Sequence, residues 1–250
     1  MIEIVKKSNS TRKPPRIIGL DIGGTNIRGI LYRDGKIIRK REVKTPQNLV
    51  DFGKVLRITV KFLARAEKIS GIGIGTAGVV NGAVLRFSPN IPAVKNFNFQ
   101  KIIPTGIQLK LDNDARCFAR GEYLLGFGRG FKNLFFLTIG TGIGRASGRN
   151  GKILKIKKFE YPERWEGEYQ KIRDRKDDMK LAEFLGKNLA KLIKPYKPRA
   201  IIIGGGVIMK RKNFISKLKK ELTKNGIKAK ILKSRLGNHA ASLGAALLFK

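Results

Sequence analysis

Asp21-Ile22-Gly23-Gly24-Thr25-Asn26 follows the apolar run Ile17-Ile18-Gly19-Leu20, which puts a carboxylate at the end of a buried strand. Glycines let the backbone approach a ligand closely and adopt positive φ. The exposed N–H groups of such a turn suit an anion, typically phosphate. A carboxylate beside them could hold Mg2+, directly or through water. The same pattern recurs twice. An apolar strand at 134–139 enters Gly140-Thr141-Gly142-Ile143-Gly144, and another at 200–203 enters Gly204-Gly205-Gly206. Asn113-Asp114 stands at a helix start after 68–111, a stretch without any carboxylate. Either residue could serve as an N-cap; Asp114 there could equally meet a substrate as a base. Ser88-Pro89-Asn90 reads as a turn or as part of the same site.

Other chemistries fit poorly. There is one cysteine, Cys117, and one histidine, His239. A disulfide within the chain is impossible, and a Cys/His zinc site, which takes three or four ligands, is not expected. A catalytic triad would have to use His239, so a carboxylate is the expected base. Gly73-Ile74-Gly75-Thr76-Ala77-Gly78 matches the dinucleotide pattern after a strand, but no acid follows until Asp112, and Val79-Val80-Asn81-Gly82 reads as strand and turn. No Walker A sequence is present.

The formal charge is +36, from 54 Lys and Arg against 18 Asp and Glu. Lys and Arg number 12, 7, 8, 15 and 12 in successive blocks of fifty, so there is no basic tail or island. A dispersed excess fits a solvated surface with weak, salt-sensitive polyanion binding. No specific nucleic-acid partner is expected. The scarcity of acids is more telling. Carboxylates are missing from 68–111, 123–159, 184–220 and everything after Glu221, and each stretch holds a glycine cluster. A phosphate loop needs that, since a nearby carboxylate would repel its ligand. No apolar run approaches the length of a bilayer span. Residues 1–15 are polar and basic and read as a flexible leader, not a signal peptide. A cytoplasmic, soluble protein is expected.

The elements that must carry these residues follow from periodicity. Strands are expected at 17–21, 27–33 and 37–44, with Asp34-Gly35 turning a hairpin. A helix over 48–67 comes next, then strands at 72–74 and 84–87 and a helix from Asn113. The second half runs strand 134–139, helix 180–193, strand 200–203, helix 214–222, strand 228–232 and helix 240–249. Both halves open with a strand entering a glycine turn, which predicts an internal duplication of α/β lobes facing one cleft.

The ordered set of motifs resembles the ROK sugar kinases of the actin-like ATPase and hexokinase superfamily. The matching residues are 20–26, 73–78, 88–90, 111–115, Gly121-Glu122, 140–144, 203–206, Gly237-Asn238 and Gly244-Ala245-Ala246. The resemblance implies a two-lobed actin-like ATPase (ribonuclease H-like) α/β fold. The first lobe would span 16–110, completed by the last helix over 238–250, and the second 111–237. It further implies an ATP-dependent, glucokinase-like enzyme using Mg2+, with a small sugar as substrate and room for a homodimer. Asp114 would be the catalytic base. Asp21, Gly23, Gly24, Thr25, Asn26, Gly140, Thr141, Gly142, Gly204, Gly205 and Gly206 would bind the nucleotide, Asp21 orienting magnesium through water. Gly78, Asn90, Asn113 and Asp114 would bind the sugar.

The chain departs from that pattern after the second glycine turn. The family's Glu-x-Gly-His segment and cysteine-rich zinc loop have no counterpart; Phe159-Glu160-Tyr161 and Trp165-Glu166-Gly167-Glu168-Tyr169 stand there instead. Glu168 is taken as the counterpart of the sugar-binding glutamate, with Glu160, Glu163 and Glu166 as alternatives. A relative that binds sugar or nucleotide without turnover is the competing reading.

Overall fold

A computed structural model describes residues 14–250, so the expected leader lies almost wholly outside the described residues. β1 (Ile17–Ile22), β2 (Asn26–Arg33) and β3 (Lys36–Lys44) form an antiparallel meander. Asp34 and Gly35 between the last two both have positive φ, as a tight hairpin turn requires. Helix α1 (Leu49–Ala64) follows, capped by the Asn48 side chain accepting from the Asp51 N–H. β4 (Gly71–Thr76) then returns parallel to β1, and β8 (Gln108–Asn113) lies parallel beside β4. The first sheet therefore has the order β3-β2-β1-β4-β8. It extends to Asn113, so the boundary expected after residue 110 falls inside a strand. Between β4 and β8 a small sheet of β5 (Val79–Asn81), β6 (Val84–Phe87) and β7 (Phe97–Asn98) packs on the same core, with Leu85 buried in it.

The second half repeats this plan. β9 (Asn133–Ile139), β10 (Ile143–Arg149) and β11 (Lys152–Ile153) form the meander, and β12 (Ala200–Gly204) and β13 (Lys230–Lys233) add in parallel. The order β11-β10-β9-β12-β13 is that of the first sheet, position for position. Helices α3 (Glu166–Asp174), α4 (Asp178–Ile193), α5 (Gly206–Lys210) and α6 (Phe214–Lys224) complete this lobe.

β1 is apolar without alternation because both its faces are covered. Ile18, Leu20 and Ile22 pack with Phe52, Leu56, Val60 and Leu63 of α1. The other face meets α7 (Ala240–Ala246): a Cβ on Gly19 would lie 2.0 Å from the Ser242 carbonyl, and one on Gly73 1.9 Å from that of Ala245. The remaining helix, α2 (Asp114–Leu124), leaves the first sheet and packs on the second, with Cys117, Phe118 and Tyr123 in one cluster with Leu134 and Phe136. Helix α7 leaves the second sheet and packs on the first, so the lobes exchange helices. Where α2 and α7 cross, a Cβ on Gly244 would sit 1.6 Å from the Cys117 carbonyl. Only glycine permits that approach. The helix expected over 240–249 is α-helical to Ala246 and ends in a 3-10 turn. No helix among the described residues is long and apolar enough to cross a membrane.

Candidate active site

In the first sheet, Asp21 ends near the C-terminal edge of β1, level with Gly75, while Thr76 and Asn113 pair at the ends of β4 and β8. In the second sheet, Gly140 follows β9 and Gly205 follows β12. Parallel strands present ligands at their carboxyl ends, and both sets of ends open on one cleft of about 850 Å3.

The cleft gathers most of the residues singled out from the sequence. Asp21, Gly23, Gly24, Thr25, Asn26, Gly78, Asn90, Asn113 and Asp114 line it from the first lobe, and Gly140, Thr141, Gly142, Gly205 and Gly206 from the second. The two phosphate-type turns touch: Thr25 Oγ1 and Thr141 Oγ1 are 3.1 Å apart, hydrogen-bonded across the cleft. Asn90 sits at the same junction. A Cβ on Gly24 would lie 2.7 Å from its carbonyl oxygen, and one on Gly142 would lie 3.6 Å from its Oδ1 and equally from Glu166 Oε2. Gly78 has φ +106, and its missing Cβ would fall 2.0 Å from the Phe87 carbonyl, so no other residue fits there.

Asn113 and Asp114 play separate parts. Asn113 is the N-cap of α2, its Oδ1 accepting from the N–H of Ala115 at 3.0 Å and of Arg116 at 3.3 Å. Its Nδ2 is not used by the cap. Asp114 is the first helical residue, at the positive end of the helix dipole. Burial pushes its carboxyl above the usual range, against the Ala115 N–H and the Arg116 charge, which pull it down. Asp21 is raised to about 7, first by burial and then by the like charge of Asp114. Arg28, 4.0 Å away, offsets part of this. Asp112 behaves differently. Burial alone would raise it, but Arg116 at 2.5 Å and Arg120 at 2.9 Å hold it below the usual carboxylate range. It anchors α2 and takes no part in the cleft.

Among the described residues no group of three or more His, Cys, Asp or Glu side chains is placed to hold a metal ion. Magnesium asks for less than such a group, because it keeps several waters and is held by one or two carboxylates together with substrate phosphates. Asp21 is the fitting carboxylate, because its desolvated charge is relieved by a cation.

Two expected residues lie elsewhere. Gly204 is buried at the end of β12, where an added Cβ would lie 2.6 Å from the Phe118 ring, and it is not among the residues lining the cleft. Glu168 is exposed and outside the cleft. The reason is helical geometry: on α3, positions 166, 169, 170 and 173 share one face, and 168 points away. That shared face turns toward the second glycine turn, and Glu166 is its buried carboxylate. Glu166 accepts from Arg145 Nη1 at 2.8 Å and from the N–H of Ile143 at 3.2 Å and Glu163 at 2.9 Å. Arg145, 2% exposed, also donates to the Tyr161 carbonyl. Glu160 pairs with Arg116 at 2.5 Å. Arg145, Tyr169, Gln170 and Arg173 went unrecognised in the sequence. For the three on α3 the i, i+3, i+4, i+7 spacing from Glu166 is the available signal; Arg145, on β10, has no such signal.

Known proteins resemble the chain in both sequence and shape. The sequence pattern described as "ROK family" matches residues 17–156 and 177–250. A glucokinase of Thermotoga maritima is 36% identical over 149 residues, 56% of this chain and 46% of that protein, so this match spans less than half of the relative's length. A beta-glucoside kinase of Klebsiella pneumoniae is 26% identical over 94% of this chain and 96% of its own. The ROK family glucokinase of Streptomyces griseus, solved with glucose and AMPPNP, has a TM-score of 0.79 at 22% identity, covering 93% of this chain and 98% of that one. The fold is thus the two-lobed actin-like ATPase fold. Residues 157–176, which include α3, fall in the one internal gap of the family match. The pattern runs through both lobes on either side of that gap, and the chain belongs to the ROK family.

Proposed function

We propose that the chain is an ATP-dependent carbohydrate kinase that transfers the γ-phosphoryl group to a hexose hydroxyl, with Asp114 as general base. The observation that carries this reading is the placement of Asp114 at the start of α2, in the same cleft as two glycine turns that meet through Thr25 and Thr141. Relatives named glucokinase and beta-glucoside kinase support the reaction class. The two sheets with their helices serve as the lobes, the first completed by residues 238–250.

Phosphoryl transfer depends mainly on positioning and charge neutralisation. In this reading Asp114 accepts the proton of the attacking hydroxyl, and its raised pKa makes it a stronger base than a solvated carboxylate. Asn113 Nδ2 and the Asn90 carboxamide orient the sugar, while Gly78 leaves room for it. The N–H groups of the turns at Gly23 and Gly140 hold phosphate oxygens, and Gly205 and Gly206 lie under the rest of the nucleotide. Asp21 holds magnesium, which when bound neutralises phosphate charge. Glu160, Glu163 or Glu166 replaces Glu168 as the acid nearest the sugar.

A hexose panel with coupled detection of ADP tests the proposal. Sugar-dependent ADP release, abolished in Asp114→Asn, is expected. The gap in the family match favours one competing reading, a binder without turnover. Bound ligand with no ADP from any hexose in wild type would establish it.

A further inference from the structure

Helix α3 lies against the second glycine turn, and its contacts there go to the turn's carbonyls. The Gly140 carbonyl accepts from Tyr169 Oη at 2.6 Å and Arg173 Nη1 at 3.1 Å. The Thr141 carbonyl accepts from the same Arg173 Nη1 at 2.7 Å and from Gln170 Nε2 at 3.4 Å. In a trans peptide the C=O and the following N–H point in opposite directions across one plane. Drawing the carbonyls of Gly140 and Thr141 toward α3 therefore turns the N–H groups of Thr141 and Gly142 the other way. Among the described residues neither N–H donates to a protein acceptor, whereas those of Gly140 and Ile143 are taken by the Gly142 carbonyl and Glu166. Two adjacent free N–H groups on a turn form an anion cradle.

The same helix brings Glu166 close to the cradle, and an unpaired carboxylate there would repel phosphate. Arg145, buried beside it, is its counter-ion. Arg173 is itself steadied by ion pairing with Asp174 at 2.8 Å and by lying over the Tyr169 ring at 5.6 Å. Arg211 ties the helix end down, donating to the Arg173 carbonyl at 2.6 Å and to Asp178 Oδ1 at 2.6 Å.

We infer that Arg173 and Tyr169, with Gln170, are positioning residues. They aim the Thr141 and Gly142 N–H groups at the phosphoryl donor, and this device is built from a segment outside the family's pattern. The inference rests on the kinase reading for the identity of the anion. Arg173 holds two carbonyls with one nitrogen while keeping Asp174 on the other side of the guanidinium, a geometry lysine cannot reproduce.

The test is calorimetric titration of Mg2+-AMPPNP into wild type, Arg173→Lys and Tyr169→Phe, with steady-state KM values for ATP and for whichever hexose gives turnover. Loss of a charge-assisted bond predicts a Kd for AMPPNP weakened on the order of tenfold in Arg173→Lys and severalfold in Tyr169→Phe. The KM for ATP should rise in step while the KM for sugar stays put. A general loosening of the fold would move both KM values together and contradict the assignment. Tyr169→Phe removes a single oxygen and keeps the test open if Arg173→Lys fails to fold. Unchanged AMPPNP affinity in the variants, with wild type binding normally, overturns the inference and leaves the kinase reading intact. A wild type that binds no nucleotide overturns both.

Discussion

Replacing Asp21 with asparagine should make the protein more stable and less active. The Asp21 carboxyl is displaced from 3.8 to about 7, chiefly by burial and next by the Asp114 charge. Each unit is worth about 1.4 kcal/mol, so ionising Asp21 in the folded protein costs up to about 4 kcal/mol relative to the unfolded chain. Loss of the Arg28 contact and imperfect hydrogen bonding of the amide reduce the expected gain to roughly 2–3 kcal/mol. The sign follows from proton binding. Below the unfolded pKa both states carry a neutral Asp21, and no penalty exists. Between 3.8 and about 7 the folded protein holds a proton that the unfolded chain has released, so stability falls as pH rises through this window. The advantage of Asp21→Asn should therefore be small near pH 4 and complete by pH 8. Urea unfolding of both proteins at pH 4.5, 6 and 8 measures it. Added Mg2+ should narrow the gap at pH 8, because the ion stabilises the wild-type carboxylate and not the amide. Equal or lower stability of Asp21→Asn at pH 8 would refute the idea that this carboxylate is held desolvated and in want of a cation.

Two further outcomes are expected. The acidic limb of kcat/KM against pH should fall above the ordinary carboxylate range, since burial raises Asp114 and the base must be ionised to act; a limb near pH 4 or below would contradict this. Gly244→Ala should destabilise the protein by about 3 kcal/mol or more in chemical unfolding, because its methyl would overlap the Cys117 carbonyl and part α2 from α7. A neutral effect would mean that the helix exchange between lobes tolerates slack.

Much of the fold is legible because its signals are local. The runs at Ile17 and Leu134 are apolar without alternation, as strands covered on both faces must be, and each ends in glycines that no other pressure explains. Asp34-Gly35 names its hairpin. Asp112 and Asp114 stand out because 68–111 holds no acid, and Asp114 is the one of the two that stands at the helix start. Other features need the third dimension. Asn113 is both cap and cleft residue, a pairing that spacing cannot separate. Gly204 and Gly205 are adjacent and alike in sequence, yet only Gly205, at φ +93 beyond the strand end, reaches the cleft. In α3 the inward face is polar, so the usual apolar stripe is too thin to signal a helix. Trp165, Tyr169 and Ile172 alone mark the side that packs. Glu166 and Glu168 are two residues apart and alike in sequence, yet only Glu166 lies on the face of α3 that meets the second glycine turn and lines the cleft.

The most direct measurement is ADP production by wild type and Asp114→Asn across a hexose panel, with AMPPNP binding followed in parallel. Turnover with at least one hexose is predicted for wild type. Asp114→Asn should lose at least about 100-fold of it, the range of a general base, while binding AMPPNP as before. Equal turnover in the two proteins would contradict the assignment of Asp114 as the base, whichever sugar is used.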